Sequence, residues 1–183
     1  PGTLLAGKRG LVMDVANNKS IAWGIAEAAA KQGAEIAFSY QMEGFGKRLV
    51  PLAESSGSNI MIACDVAQEG PVDRCFAELA THWPTIDFVV HALAFSDKNE
   101  LKGAYMDTSR ENFESTMMVS AYSFTEVARA ARDMMPDGGA LVTLSFLGAQ
   151  RSTPNYNVMG VAKAALEASV RYLAVDLGGQ NIR

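Results

Sequence analysis

The chain has 183 residues, of which 49% are hydrophobic, and a formal net charge of −4. This length predicts one domain over residues 1–183 with a sizeable core. The acidic balance without a basic stripe argues against nucleic acid as a partner. No apolar run approaches the roughly 20 residues that a membrane-spanning helix needs. Cys64 and Cys75 lack metal-site spacing, so we expect no metal and two reduced cysteines in a cytoplasmic protein.

Strand and helix patterns alternate along the chain. In chain order, the predicted elements are strand Gly10–Met13, helix Ile21–Gln32, strand Glu35–Tyr40, helix Gly44–Ser55, strand Asn59–Cys64, helix Pro71–His82, strand Ile86–Ala92, helix Arg110–Met135, strand Ala140–Ser145 and helix Asn155–Gly178. Such alternation indicates βαβ units. The right-handed crossover rule then places helices on both faces of the sheet. We therefore predict an α/β fold in three layers, with a Rossmann-type doubly wound parallel sheet.

Ligands of such sheets bind beyond the carboxyl ends of the strands, near the point where the strand order reverses. The residues that follow the predicted strands are therefore the first candidates for a site. They are Asp14–Ile21, Tyr40-Gln41, Asp65-Val66, His91–Phe95 and Ser145–Leu147. His91 could serve as a catalytic base here, but a packing or cofactor-side role is favoured.

The segment from Asp14 to Gly24 lies where a dinucleotide fold binds pyrophosphate. Its small residues let backbone amides approach phosphates, and the following helix N-terminus favours negative charge. Ser20 is predicted to be the N-cap of that helix. Ordinary turns between strands and helices have the same composition, so this signal alone is weak. Asp65 has two open interpretations, as a carboxylate on an adenine amino group or as a plain helix N-cap.

Tyr156 and Lys163 are seven residues apart, almost two turns of a helix, so both side chains should project from one face. An ammonium near a phenol favours the phenolate, which would make Tyr156 an easier proton donor. A reductase needs such a donor when hydride transfer creates an oxyanion. A Tyr and a Lys on an amphipathic helix that never meet a substrate would show the same spacing.

Several segments together resemble the bacterial enoyl-[acyl-carrier-protein] reductases, a branch of the short-chain dehydrogenase/reductase superfamily. The resemblance runs from Gly7 to Arg183. Its most specific segments are Ser20-Ile21-Ala22-Trp23-Gly24, Cys64-Asp65-Val66, His91-Ala92-Leu93-Ala94-Phe95 and Pro154-Asn155-Tyr156-Asn157-Val158-Met159-Gly160-Val161-Ala162-Lys163-Ala164. Enoyl reductases place the Lys seven residues after the Tyr, whereas ordinary short-chain reductases place it four residues after.

The resemblance implies a reaction of fatty-acid biosynthesis, the NADH-dependent reduction of the α,β double bond of a trans-2-enoyl thioester on acyl carrier protein or CoA. It implies Tyr156 and Lys163 as catalytic residues. The implied cofactor-binding residues are Asp14, Ser20, Ile21, Gln41, Asp65, Val66, Ala92, Leu93, Ala94 and Lys163. Phe95, Phe146, Tyr156 and Met159 are expected on the substrate side. The resemblance also implies a homotetramer, for which the helices at Arg110–Met135 and after Tyr156 are candidate interfaces.

The choice of cofactor has its own signal. A cation after the second strand would pair with the 2′-phosphate of NADP, but Tyr40-Gln41-Met42-Glu43 contains none. NADH is therefore predicted, while Lys47 and Arg48 further along keep NADPH as an alternative.

Three features depart from the family pattern. Asp14 stands where a Gly is usual, so its carboxylate either repels the pyrophosphate or turns aside to cap the following turn. Phe146 replaces a Tyr that many members carry. The sequence ends at Arg183, where a sixth strand should begin; members continue with that strand, a substrate-covering loop and a seventh strand, so we expect part of a longer protein.

Two alternatives to the enoyl reductase remain at this point. A short-chain reductase of 3-ketoacyl or other carbonyl substrates would share the fold, although the spacing of seven argues against it. A catalytically silent nucleotide-fold protein would account for Asp14 and for the C-terminal segment expected in the family but missing from this sequence.

Overall fold

In the computed structural model, which describes residues 2–183, five parallel strands form one sheet in the order β3-β2-β1-β4-β5. The strands are β1 (Arg9–Met13), β2 (Glu35–Tyr40), β3 (Met61–Ala63), β4 (Phe88–His91) and β5 (Ala140–Thr143). The helices are α1 (Ile21–Lys31), α2 (Glu43–Ser55), α3 (Pro71–His82), α4 (Arg110–Met117), α5 (Ser123–Arg132) and α6 (Asn157–Gly178). The predicted doubly wound parallel sheet is confirmed.

Two hydrophobic clusters cover the two faces of the sheet, as the pleat of a strand requires. In β1, Leu11 and Met13 belong to one cluster, whereas Val12 between them belongs to the other. The first cluster includes Leu79 of α3 and Val127 of α5. The second cluster contains side chains of α1 and α2, namely Ala22, Trp23, Ala26, Ala29, Leu49 and Ala53. Helices therefore pack on both faces, which gives the three predicted layers.

The helix predicted at Arg110–Met135 is interrupted. α4 ends at Met117, a π-turn covers Met118–Tyr122, and α5 continues from Ser123. Such turns with an extra residue are frequent at functional sites. The apolar pattern is continuous across the interruption, so the sequence predicted one helix.

The structure also shortens several other predicted elements. β3 begins at Met61 rather than Asn59, and β4 begins at Phe88 rather than Ile86. α6 begins at Asn157 rather than Asn155. Asn155 has a left-handed φ of 58°, which Asn tolerates but which interrupts a regular helix, and Asn157, the first residue of α6, still has a positive φ of 36°.

The residues Ile182 and Arg183 pair with the start of β5, and the sixth strand remains a prediction. Ile182 forms a parallel bridge with Gly139, and the amide of Leu141 donates to the carbonyl of Arg183 at 2.7 Å. Val142, further along β5, is exposed. Over residues 2–183, no helix is long and apolar enough to cross a membrane.

Candidate active site

The carboxyl ends of β1 and β4 lie side by side because Met13 pairs with His91. β2 and β3 extend the sheet on one side of β1, and β4 and β5 extend it on the other. The strand order therefore reverses between β1 and β4, where doubly wound sheets form a ligand-binding crevice. The structure brings Asp14, which follows β1, close to Ala92, which follows β4.

The turn after β1 is held by two polar side chains. The Ser20 hydroxyl accepts a hydrogen bond from the amide of Trp23 at 3.2 Å and donates to the carbonyl of Asn17 at 2.7 Å. Asn17 in turn accepts from the amide of Lys19 at 2.8 Å. The predicted N-cap at Ser20 is confirmed, and the exposed Ile21 is the first residue of α1. Asn17 was missed, although an Asn that bonds the amide two residues ahead is a known turn signal.

Asp14 occupies the left-handed conformation that a Gly would adopt freely. Its φ is 63°, and its amide donates to the carbonyl of Ser39 at 3.1 Å. Burial raises the pKa of the Asp14 carboxyl above its ordinary value. The cap of the following turn comes from Asn17 and Ser20, so the interpretation of Asp14 as a turn cap is wrong.

The segments after β2 and β3 are joined where the amide of Cys64 donates to the carbonyl of Tyr40 at 2.8 Å. The Asp65 carboxylate accepts from the amide of Ala67 at 3.1 Å and from the side chain of Gln68 at 3.0 Å. The N-cap of α3 is Gly70, so the helix-cap interpretation of Asp65 is wrong. Asp65 instead stabilises its own turn. The half-buried Gln41 and the buried Val66 flank this edge, and the cofactor roles of all three remain predictions.

The segment after β4 divides into exposed and buried residues. Ala92 is half-buried and Ala94 is exposed at the crevice, whereas Leu93 is 2% exposed and packs in the core. The Leu93 side chain therefore faces the core, and the cofactor roles of Ala92, Leu93 and Ala94 remain predictions. Phe95 is exposed, and its backbone is held by Ser120, which accepts from its amide at 3.0 Å and donates to its carbonyl at 3.1 Å. Ser120 belongs to the π-turn and was missed, because no local pattern marks it.

Tyr156 lies on the turn immediately before α6, not within the helix as predicted. Its ring stacks on Phe146, with the ring centroids 4.9 Å apart and the planes inclined by 27°. Tyr156 also lines a cavity of about 360 Å³ together with residues from the segment between β5 and α6. The other lining residues are Tyr105, Gly148, Ala149, Gln150, Arg151, Ser152, Thr153, Asn157, Gly160, Val161 and Ala164.

α6 approaches this segment closely at Gly160. A Cβ at that position would lie 2.7 Å from the carbonyl oxygen of Gly148, so any larger residue would push the helix away. Gly160 was not singled out from the sequence, although a Gly inside a helical pattern signals a close contact. Met159 is only 9% exposed, so it offers little surface to a substrate in this structure.

Lys163 is 7% exposed and donates from Nζ to the backbone carbonyl of Leu144 at 2.8 Å. Burial lowers the pKa of Lys163 and raises the pKa of Tyr156. The prediction that Lys163 makes the Tyr156 phenol more acidic is therefore wrong for this structure, because the ammonium is bound at the end of β5 and desolvation dominates at the phenol. Tyr156 is a neutral phenol, which can donate a hydrogen bond.

His91 is 1% exposed and is enclosed by hydroxyl groups. Its Nδ1 lies 2.8 Å from Oγ1 of Thr143, and its Nε2 lies 2.8 Å from Oγ of Ser123. Burial and, second, the ammonium of Lys163 lower the pKa of His91 to about 3. The structure thus agrees with a packing role and not with a base open to substrate. Thr143 and Ser123 were not found from the sequence because they meet His91 only in the fold.

The crevice can be compared with what a dinucleotide requires. The α1 N-terminus, capped by Ser20, leaves backbone amides for a pyrophosphate, and the small residues Ala92 and Ala94 leave room beside it. The Asp14 carboxylate, in contrast, would repel an anion bound there. Together with Tyr156 and Lys163, this arrangement defines a Rossmann-type oxidoreductase of the short-chain dehydrogenase/reductase class.

Comparison with known proteins narrows the class to a family. The family model described as "Enoyl-(Acyl carrier protein) reductase" matches residues 15–183. The chain is 57% identical over 180 residues to "Enoyl-[acyl-carrier-protein] reductase [NADH] 2" of Rhizobium meliloti, and 58% identical to its counterpart numbered 1. These alignments cover 98% of the chain and 67% and 66% of the two relatives. The chain therefore belongs to the enoyl-[acyl-carrier-protein] reductase family.

Solved structures agree with this assignment. The enoyl-(acyl-carrier-protein) reductase of Anaplasma phagocytophilum, in complex with NAD, superimposes with a TM-score of 0.97 at 57% identity over 100% of this chain and 70% of that one. FabI from Candidatus Liberibacter asiaticus gives a TM-score of 0.98 at 55% identity, over 100% of this chain and 71% of that one. The predicted family is confirmed. The chain spans about two thirds of the length of the curated relatives.

Proposed function

We propose that this chain binds NADH and reduces the α,β double bond of trans-2-enoyl thioesters carried on acyl carrier protein, in fatty-acid biosynthesis. The observation that carries the proposal is the placement of Tyr156 and Lys163. The phenol lines a cavity beside Phe146, and the ammonium lies seven residues further on at the end of β5. The spacing of seven, rather than four, favours an enoyl over a carbonyl substrate.

Tyr156 and Lys163 have different electrostatic roles in the proposed reaction. NADH, when bound, supplies the hydride for the β carbon of the substrate. Tyr156 donates a hydrogen bond to the thioester oxygen, where the enolate charge develops. Its raised pKa keeps the phenol protonated for this task. Lys163 holds its positive charge beside the carbonyl of Leu144, from where it would bind the nicotinamide ribose hydroxyls.

The residues after β2 favour NADH over NADPH. Gln41 and its neighbours supply no cation for a 2′-phosphate. Arg48, the closest Arg along the chain, has its guanidinium 6.0 Å from the centroid of the Phe45 ring, a cation–π arrangement that directs it to its own helix. Equal rates with the two cofactors would contradict this preference.

The proposal is tested by following NADH consumption with a trans-2-enoyl thioester beside a 3-ketoacyl thioester of the same chain length. Consumption with the enoyl substrate alone is expected. Consumption with the ketoacyl substrate alone would establish a carbonyl reductase instead. Tyr156→Phe is the control, because it retains the ring stack on Phe146 and removes only the hydroxyl.

A catalytically silent nucleotide-fold protein is the second candidate, and Asp14 favours it. At about 4 Å and an effective dielectric near 20, repulsion between this carboxylate and a phosphate is on the order of 4 kcal/mol, an upper bound for an ionised group. Failure of a folded Asp14→Gly variant to bind NADH would support this candidate.

We also propose that the chain assembles as a homotetramer through α4, α5 and α6, and acts in the cytoplasm. Apolar side chains on these helices support the assembly, since Tyr172 and Val175 of α6 are 77% and 83% exposed. The free thiols of Cys64 and Cys75 agree with a reducing compartment. Light scattering after size exclusion would test the assembly: Val175→Glu is expected to lower the measured mass, and a monomeric parent chain would contradict the proposal.

A further inference from the structure

Three segments of the site meet at the buried imidazole of His91. The residue ends β4, Thr143 ends β5, and Ser123 begins α5 directly after the π-turn. Both imidazole nitrogens have a hydroxyl partner at 2.8 Å. The ring of Phe124 packs against the imidazole edge-on, at 5.2 Å between centroids and 60° between planes. Little freedom is left to this side chain.

The hydrogen bonds define which nitrogen carries the proton. The Ser123 hydroxyl donates its one proton to the carbonyl of Val119 at 2.7 Å, so it must accept from His91. Nε2 is therefore protonated. In a neutral ring Nδ1 is then an acceptor, and the Thr143 hydroxyl donates to it. The ammonium of Lys163 is the charged group whose field reaches the ring, and it opposes a second proton on the imidazole.

Each of these bonds ends next to a group of the proposed site. Thr143 precedes Leu144, whose carbonyl binds Nζ of Lys163 at 2.8 Å. Ser123 follows the π-turn, in which Ser120 holds the backbone of Phe95. His91 itself precedes Ala92, at the crevice. A shift of the imidazole would therefore move the anchor of the catalytic lysine, the Phe95 segment and the crevice wall.

We propose that His91 is a positioning residue of the reductase. As a neutral imidazole protonated at Nε2, it locks the end of β5 and the π-turn to the end of β4, and so sets the place of Lys163 on one side and of Phe95 on the other. It contacts none of the reacting atoms. The role rests on the proposed function.

The first test determines the tautomer of the His91 imidazole and does not require that the chain be catalytically active. The chain has two histidines, so His82→Gln leaves one imidazole in a ¹⁵N spectrum. The expected signal is a neutral ring protonated at Nε2 that does not change between pH 7.5 and pH 5. A ring protonated at Nδ1, or one that takes up a proton in this range, would overturn the proposal. The spectrum is informative even if the chain has no turnover.

The second test uses steady-state kinetics to measure the two hydrogen bonds of His91, to Thr143 and to Ser123, one at a time. Thr143→Val removes the bond on the Lys163 side and is expected to raise the KM for NADH roughly tenfold, with the thioester KM unchanged. Ser123→Ala removes the bond on the Phe95 side and is expected to raise the thioester KM by a similar factor, with the NADH KM unchanged. His91→Phe, which keeps an aromatic ring, should show both effects.

His91→Gln is the conservative control. Its amide can still donate to Ser123, so it should restore the thioester KM relative to His91→Phe. All variants are compared well below their unfolding temperatures, per folded molecule. The proposal would be overturned if the variants unfold at lower temperatures but keep kinetic constants within twofold of the parent. His91 would then contribute to stability alone. No turnover in the parent chain would instead count against the proposed function, while the imidazole spectrum still decides the tautomer.

Discussion

Phe146 and Tyr156 form an aromatic stack that joins the segment after β5 to the start of α6. The ring centroids are 4.9 Å apart. Phe146 is 51% exposed, and Tyr156 is half-buried before the first turn of α6. Because neither residue lies in a regular element, we expect the stack to orient the Tyr156 ring. Phe146 thus packs against the ring of Tyr156 but offers no hydroxyl of its own to the site.

Removal of the stack should lower the rate. Phe146→Ala is expected to decrease kcat about fivefold, because such aromatic pairs contribute roughly 0.5–1.5 kcal/mol beyond their buried area. Phe146→Tyr keeps the stack and should leave kcat within about threefold of the parent. Steady-state kinetics with a trans-2-enoyl thioester would measure both. Tyr156→Phe shows how much kcat falls when the phenol hydroxyl itself is lost. We expect it to lower kcat by about 10²- to 10⁴-fold with little change in NADH affinity. An unchanged kcat for Phe146→Ala would show that α6 alone orients the phenol.

Replacement of Asp14 should strengthen cofactor binding. Asp14→Gly removes a partly buried carboxylate at the crevice between β1 and β4, and it places a residue without a Cβ at a φ of 63°. We expect NADH to bind at least tenfold more tightly, measured by isothermal titration calorimetry. We also expect the free energy of unfolding to rise by about 1 kcal/mol from relief of the left-handed backbone.

Asp14→Asn separates these two effects. Asn tolerates the left-handed conformation and has no charge. Tighter NADH binding in both variants would assign the effect to the charge, and tighter binding in the Gly variant alone would assign it to backbone and space. Equal affinity in the parent and both variants would refute the prediction.

Loss of the α1 cap should affect both stability and binding. Ser20→Ala leaves the amide of Trp23 without its partner, which should cost about 1 kcal/mol of unfolding free energy. It should also weaken NADH binding, since the same turn is proposed to hold the pyrophosphate. Ser109→Ala is the matched control: Ser109 caps α4 by accepting from the amide of Asn112 at 3.1 Å, away from the β1 turn. Chemical denaturation and NADH titration should show a stability loss in both variants and weaker binding only in Ser20→Ala.

Local patterns were sufficient to predict the order and type of most elements. The five strands and the helices α1, α2 and α3 follow from apolar period, Gly stops and capping residues, and their bounds lie within a few residues of the structure. The cap at Ser20 could also be predicted from local sequence, because its donor and acceptor are three residues apart.

Features that depend on distant contacts were not predictable. The π-turn exists where Ser120 bonds Phe95, 25 residues away, and nothing between Arg110 and Met135 marks it. The relation of Tyr156 to Lys163 was predicted as one helix face, but the left-handed Asn157 places Tyr156 before the helix. The predicted direction of the pKa shift at Tyr156 was wrong for a related reason. The spacing of the two residues cannot show that the Lys163 ammonium is bound by the carbonyl of Leu144.

Stability should fall on mild acidification because of His91. The folded-state pKa of this imidazole is lowered from its ordinary 6.5 to about 3. Between these two values the unfolded chain binds more protons than the folded one, so the free energy of unfolding rises with pH across this window and is lost as the pH falls through it. From pH 7 to pH 4.5 the loss from His91 is on the order of 2 to 3 kcal/mol.

Urea denaturation at a series of pH values would measure this slope in the parent and in His91→Gln. The variant should be less stable at pH 7 but should show a flatter decline towards pH 4.5, because the imidazole no longer titrates. Asp14 acts in the opposite sense: its raised pKa means that the folded state binds more protons just above the ordinary carboxyl value, so its contribution falls as the pH rises. Asp14→Asn should therefore steepen the acid decline. Parallel curves for the parent and His91→Gln would show that the imidazole is not buried in its neutral form.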